Sequence, residues 1–119
     1  MKLFDMTDAP NPRRVRVFLA EKGIDIEKVQ IDIFGGENLG AEFLAVNSRG
    51  VLPTLLLDDG TIIDETSAIC RYFEVIQPQP TLYGSTAKEI AVVESWIRQI
   101  ELDARTLFTP RALQPGHDD

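Results

Sequence analysis

Glu65 and Thr66 stand where a run of helical spacing begins, with Ile69, Phe73 and Ile76 following at i, i+4 and i+7. A helix start carries free N–H groups and the positive end of the macrodipole, so it can receive the carboxylate of a ligand. Asp64, Thr66 and Ser67 are also competent as ordinary helix caps, and a cap and an anion site are physically the same object. Upstream, Val51-Leu52-Pro53-Thr54 opens a strand. Proline has no N–H to give to a ladder, so Pro53 belongs at a strand end or in a tight turn, where a cis bond is tolerable.

The remaining reactive side chains offer less. Cys70 falls beside Ile69 and Phe73 with no second cysteine, and reads as a core thiol, which excludes paired-cysteine redox chemistry. His117 lies in the tail, and no metal-ligand spacing is present. Arg13, Arg14 and Arg16 form a basic cluster that either steers an anionic ligand or makes a solvated helix face. Trp96 reads as interface or core.

The 119 residues, 44% hydrophobic and 26% charged, can bury one core and carry an appendage. A net charge of −7 and a pI near 4.6 argue against nucleic acid or an anionic membrane surface as partner. No leader pattern opens the chain, and no apolar run approaches the roughly 20 residues of a membrane helix. The expectation is a soluble, cytoplasmic protein.

The elements that position these residues follow from pattern. Lys2 to Met6 is a buried strand, and Thr7 to Pro12 a loop rich in Asp, Asn and Pro. A helix then runs from Pro12 to a stop at Gly23, burying Val15, Phe18 and Leu19 while Arg13, Arg16 and Lys22 point elsewhere. Val29 to Ile33 alternates as a second strand with one buried face. Residues 34 to 40 form a mobile glycine-rich loop, and Ala41 to Val46 a short helix. Thr54 to Leu57 and Thr61 to Ile63 flank Asp58-Asp59-Gly60, a hairpin signal, and Thr66 to Ile76 is the covering helix. The expected fold is α/β, a mixed four-stranded sheet in the order βαβ-α-ββα with helices on both faces. The domain spans 1–77, with a linker at 78–85, one long helix at 86–108 and a disordered tail at 109–119. That helix carries Ile90, Val93, Ile97, Ile100, Ala104 and Leu107 on one face, widened by Val92 and Trp96, and needs a partner surface.

Asn47-Ser48-Arg49-Gly50, the Pro53 turn, the hairpin and Glu65-Thr66-Ser67-Ala68-Ile69 together resemble the glutathione-binding half of the glutathione transferases, over roughly residues 2 to 85. The resemblance implies a thioredoxin-like first domain, glutathione as co-substrate, a small electrophile as second substrate, and a homodimer formed through the 86–108 helix and the first domain. The chain resembles a bacterial-type member that stops early in the helical second domain.

By that resemblance, the N–H and C=O of Leu52, before a cis Pro53, pair with the cysteinyl portion of glutathione as an added strand does. Glu65 accepts from the γ-glutamyl ammonium, and the Thr66 hydroxyl and N–H donate to its carboxylate. From its place beside the proline turn, Arg49, or else Asn38 in the glycine-rich loop, either meets the glycyl carboxylate or is a solvated loop residue. The family's usual serine position holds Ala9 and its usual cysteine position Pro10, neither of which can donate to sulfur. Bacterial members that this chain resembles carry Thr-Pro-Asn there and use the Thr hydroxyl with the Asn amide; Ala9-Pro10-Asn11 keeps only the Asn, so the resemblance implies Asn11 as the thiolate contact, with Thr7 second, although Asn11 also suits a turn or a cap. Glu101 or Asp103 is the acidic side chain that a partner subunit would lend. A non-catalytic module kept for protein association is the competing reading.

Overall fold

The structure, a computed structural model, describes the main chain of residues 1–108 and the side chains of residues 1–103. Two compact units divide at Pro80. In the first, β1 (Lys2–Asp5) leads to α1 (Pro10–Lys22) and β2 (Glu27–Gln30). A single 3₁₀ turn (Glu37–Leu39), α2 (Ala41–Val46), β3 (Thr54–Leu56), β4 (Ile62–Asp64) and α3 (Thr66–Ile76) follow. The four strands form one sheet in the order β2-β1-β3-β4, with β1 and β2 parallel and the other two pairs antiparallel.

Strand alternation divides the core between the two sheet faces. Phe4 packs with Ile31 and Phe43 of α2, its ring 5.4 Å from that of Phe43 in an edge-on arrangement. Leu3 and its cross-strand partner Leu55 face the other way and are fully buried. Helices α1 and α3 pack together and bury Val15, Leu19, Ile69 and Phe73. Cys70 is buried on the same helix, as its spacing suggested. The mixed four-stranded sheet expected from the element order, and the thioredoxin-like fold implied by the resemblance, are therefore the arrangement found.

Three local expectations need correction. The second strand is Glu27–Gln30, two residues earlier than the Val29 to Ile33 pattern indicated, because Lys2 pairs with Glu27 and the register runs out at Asp5 opposite Gln30. Ile31 still enters the core, but Asp32 then curls into a turn closed by its carboxylate on Gly35 N–H at 3.1 Å, leaving Ile33 at the surface. Helix α1 starts at Pro10 instead of Pro12, because proline suits the first helical position, where its missing N–H is no loss. Asn11 consequently lies in the first helical turn.

The third correction concerns Arg16 and Lys22, which turn inward. Lys22 is buried, with its ammonium 2.6 Å from Glu74 and 2.7 Å from the carbonyl oxygens of both Gln77 and Pro80. Gln77 and the start of the expected linker, through Pro80, are thereby clipped to the ends of α1 and α3. Gly23 caps α1 in the left-handed region, and Ile24 N–H returns to Leu19 C=O at 2.9 Å.

The second unit contains α4 (Ala87–Phe108). Its start is a capping box: Glu89 N–H donates to the Thr86 hydroxyl at 3.1 Å, and Thr86 N–H donates to the Glu89 carboxylate at 3.2 Å. Val92, Trp96 and Ile100 are exposed along it. The side chains of Ala104 and Leu107, the tail 109–119 and His117 lie outside the described residues.

Candidate functional site

The sheet gathers the candidate residues at one end. Thr54 opens β3 opposite Asp64 of β4 and opposite Phe4 of β1. The Leu52-Pro53 segment before β3, the Glu65-Thr66 segment after β4, and the loop that carries β1 into α1 therefore emerge at the same end of the sheet.

Leu52–Pro53 is a cis peptide. The turn before it is held by Asn47, which is buried and was part of the sequence motif without a role. Its amide donates to the Thr54 hydroxyl at 3.0 Å and to the Asp64 carboxylate at 3.1 Å, while its carbonyl oxygen accepts Arg49 N–H at 3.0 Å. Gly50 has φ +62°, and a Cβ there would stand 3.0 Å from the Asn38 carbonyl oxygen, so the bend requires glycine. Asn38 is committed to that bend, its amide donating to Gly50 C=O at 2.8 Å. Within this frame Leu52 packs its side chain on the Phe4–Ile31–Phe43 cluster. Its N–H and C=O have no hydrogen-bond partner among the described residues.

Helix α3 begins at Thr66 without a side-chain cap, and its first main-chain bond is Ile69 N–H to Glu65 C=O at 3.0 Å. The N-cap is Glu65, whose side chain makes no capping bond, while Asp64 is engaged by Asn47 and Arg49 and the Thr66 hydroxyl by Asn11. Glu65, at the N-cap, has φ +72° and is the one non-glycine residue at positive φ among the described residues. Such a conformation costs on the order of 1–3 kcal/mol and persists where the surroundings enforce it, often at ligand sites. The Arg49 guanidinium spans this corner, 2.7 Å from Asp64 and 3.2 Å from Glu65.

Asn11 meets this helix start from α1. The Thr66 hydroxyl donates to the Asn11 carbonyl oxygen at 3.5 Å, and the exposed Asn11 amide side chain has no partner among the described residues. Thr7, the alternative thiolate contact, gives its hydroxyl to the Gln30 side-chain oxygen at 3.1 Å. Arg16 fixes the intervening loop, pairing with fully buried Asp5 and donating to Thr7 C=O at 2.9 Å. A cavity of about 710 Å³ opens beside this loop, lined by Thr7 to Pro10 and by Arg13, Arg14 and Val17. Glu101 and Asp103 belong to α4, in the second unit. Among the described residues no cluster with metal-ligand geometry occurs, and no helix is long and apolar enough to cross a membrane.

The arrangement suits a short peptide with a free carboxylate: an unpaired strand-like segment at Leu52, an uncapped helix start at Thr66, and acidic side chains beside it. Comparison with known proteins identifies the family. The family model of the glutathione S-transferase N-terminal domain matches residues 9–76. Glutathione S-transferase 2 of Saccharomyces cerevisiae is 40% identical over 105 residues, which cover 87% of this chain and 45% of that protein. A glutathione S-transferase domain-containing protein of Marinobacter aquaeolei VT8 has a crystal structure that superposes with a TM-score of 0.78 at 37% identity, covering 97% of this chain and 60% of that one. Human glutathione transferase theta-2, solved in complex with glutathione, superposes with a TM-score of 0.78 at 32% identity over 84% of this chain and 41% of its own. The chain spans roughly half the length of such relatives, and it belongs to the glutathione S-transferase family through the thioredoxin-like N-terminal domain.

Proposed function

We propose that this chain binds glutathione and presents its thiolate to a small electrophile, conjugating or reducing it. The observation that carries the reading is the pair of unpartnered main-chain groups on Leu52, held beside cis Pro53 at the same end of the sheet as the uncapped start of α3. Leu52 N–H and C=O take the cysteinyl backbone as an added strand does, and Pro53, with no N–H to give, leaves them open. The Thr66 hydroxyl and N–H receive the γ-glutamyl carboxylate at the positive end of α3. Glu65 accepts from the adjacent ammonium, with Arg49 holding the Glu65 carboxylate in place and offering a cation to the second carboxylate of the ligand.

When bound, glutathione supplies the nucleophilic sulfur. Asn11 is proposed to donate its side-chain amide to that sulfur at the start of α1. Each unit of thiol pKa depression needs about 1.4 kcal/mol of preference for the thiolate. An amide donor and a helix start together are of that size.

A thermal melt tests the reading. At 100 times its dissociation constant a ligand stabilises by about 2.7 kcal/mol, which for a domain of this size is a rise on the order of 10 °C. An unchanged melt at millimolar reduced glutathione overturns it. With binding in hand, Asn11→Ala is expected to lower the turnover of a chlorodinitrobenzene-type electrophile more than it weakens glutathione binding.

Ala9 favours a second reading, a non-catalytic glutathione transferase-like module for protein association, because neither it nor Pro10 bears a donor for sulfur. Glutathione binding without any turnover would select that reading. Residues 1–77 are proposed as the glutathione-binding domain, 78–85 as a linker and 86–108 as the first helix of a helical domain. We also propose a cytoplasmic homodimer formed through the 86–108 helix and the first domain, for which exposed Val92, Trp96 and Ile100 offer an apolar surface. Sedimentation of the full chain as a monomer at high concentration would overturn the dimer.

A further inference from the structure

Asp64 ends β4 between the two halves of the peptide site, and both of its carboxylate oxygens are engaged. One accepts the Asn47 amide at 3.1 Å and the other the Arg49 guanidinium at 2.7 Å. Its side chain is only 18% exposed, so these bonds to a charged acceptor are screened less than surface pairs are.

The first arm of this arrangement runs to Leu52. The Asn47 amide held by Asp64 also donates to the Thr54 hydroxyl at 3.0 Å, and that hydroxyl donates to Val51 C=O at 2.7 Å. The Val51–Leu52 peptide is trans, so fixing Val51 C=O points Leu52 N–H the opposite way. The direction of that unpartnered N–H thus depends on a relay from Asp64 through Asn47 and Thr54.

The second arm runs to Glu65. Arg49 places one guanidinium nitrogen on Asp64 and the other on the Glu65 carboxylate at 3.2 Å. Its main-chain N–H returns to the Asn47 side-chain oxygen at 3.0 Å, which closes a ring through Asn47, Asp64 and Arg49. Glu65 follows Asp64 directly at φ +72°, a conformation that the surroundings must enforce. Tethered through both oxygens, Asp64 supplies that constraint. Pairing of Thr54 with Asp64 across β3 and β4 fixes the main-chain distance, and the side-chain ring adds the orientation.

We infer that Asp64 is a positioning residue, whose carboxylate holds the Leu52 main-chain groups and the Glu65 carboxylate in one frame and so sets the spacing of glutamyl peptide that the site accepts. The inference rests on the glutathione reading. In a γ-linked peptide two methylenes separate the amide carbonyl from the carbon that bears the ammonium and carboxylate. In an α-linked peptide that carbon is bonded to the amide carbonyl itself. The two isomers carry the same charged groups, so only a frame of fixed spacing tells them apart.

The test is calorimetric titration of the full chain with glutathione and with its α-linked isomer, α-glutamylcysteinylglycine. The unaltered protein is expected to prefer glutathione by about 100-fold and Asp64→Ala by only about tenfold, with the loss falling on glutathione. Asp64→Asn keeps the shape and an oxygen for Asn47 but gives up the charge that holds Arg49, and its preference should lie between. A residue that served stability alone would weaken both peptides alike. Equal affinities in the unaltered protein therefore overturn the inference while glutathione binding stands. So does an unchanged preference in D64A, or in D64N where D64A fails to melt cooperatively. If the unaltered protein binds neither peptide, the glutathione reading is lost instead, and the frame is read without ligand by amide nitrogen relaxation. The Leu52 and Thr66 amides should both be rigid in the unaltered protein and both gain fast motion in D64N. Unchanged motion at Leu52, whatever happens at Thr66 beside the substitution, overturns the frame, because only the side-chain relay carries the effect to Leu52.

Discussion

The Thr66 hydroxyl donates to the main-chain carbonyl of Asn11 at 3.5 Å, joining the first turn of α3 to the first turn of α1. At that length the bond is weak, so the hydroxyl can leave it for a stronger acceptor at small cost. A carboxylate at the helix start is such an acceptor, and a hydrogen bond to a charged group is worth about 1.5–3 kcal/mol. Thr66→Val should therefore weaken glutathione binding by roughly 10- to 150-fold while lowering stability by less than about 1 kcal/mol. Thr66→Ser should retain most of the affinity. Paired calorimetric titrations and denaturant melts check both halves, and equal affinities for T66V and unaltered protein would remove Thr66 from the site.

Glu65 supports a prediction with an unusual sign. At an ordinary position glycine is less stable than alanine because its unfolded chain is freer. At φ +72° the alanine variant retains the backbone strain and glycine does not. Glu65→Gly should thus be more stable than Glu65→Ala by about 1 kcal/mol. Both should bind glutathione more weakly than the unaltered protein, since both lose the carboxylate. Urea unfolding of the two variants decides the order.

Some of this was legible in the sequence, for reasons that differ residue by residue. Helices α2 and α3 match their expected spans because their apolar spacing is local and each end carries a punctuating residue. The turn at Pro53 was legible because proline restricts the chain wherever it stands. Strand β2 was displaced because its ends depend on the register with β1, and an alternating run of Val29, Ile31 and Ile33 does not state where pairing stops. Lys22 reads as pointing away from the buried face of α1 because its partners, Glu74, Gln77 and Pro80, are distant in sequence. Asn47 is a similar case: its buried amide joins Thr54 to Asp64, a relation that exists only once the hairpin has formed. The strain at Glu65 had no local signal, because the residue type usual at positive φ is absent there.

Asp59 carries the pH prediction. It sits in the turn between β3 and β4, where the Thr61 hydroxyl and then the Thr61 N–H, at 2.9 Å, donate to its carboxylate and hold its pKa below the ordinary aspartate value. A depressed folded-state pKa adds stability that is present above the unfolded value of about 3.9 and lost as pH falls through the folded one. Carboxyl NMR titration should give Asp59 a midpoint below that of a free aspartate. Thr61→Val should move the midpoint upward by removing the hydroxyl, and an unmoved midpoint would deny the hydroxyl its part.

Lys22 and Glu74 form the buried pair that closes the first unit. The ammonium has a carboxylate at 2.6 Å and two carbonyl oxygens at 2.7 Å, and the Gln77 amide returns to Lys22 C=O, so three residues converge on Lys22. Burying such a pair costs much of what its attraction returns, but removing one member leaves the other without its opposite charge in a poor solvent. Lys22→Met is therefore expected to cost about 3–5 kcal/mol. Adding Glu74→Leu removes the stranded carboxylate, so the double variant should recover part of that loss. The recovery will be incomplete, because the Gln77 and Pro80 carbonyl oxygens still lose their donor. Denaturant melts of the two single variants and the double variant give the coupling. Strictly additive losses would mean that the pair contributes nothing as a pair and that the residue 77–80 segment is held by the carbonyl bonds alone.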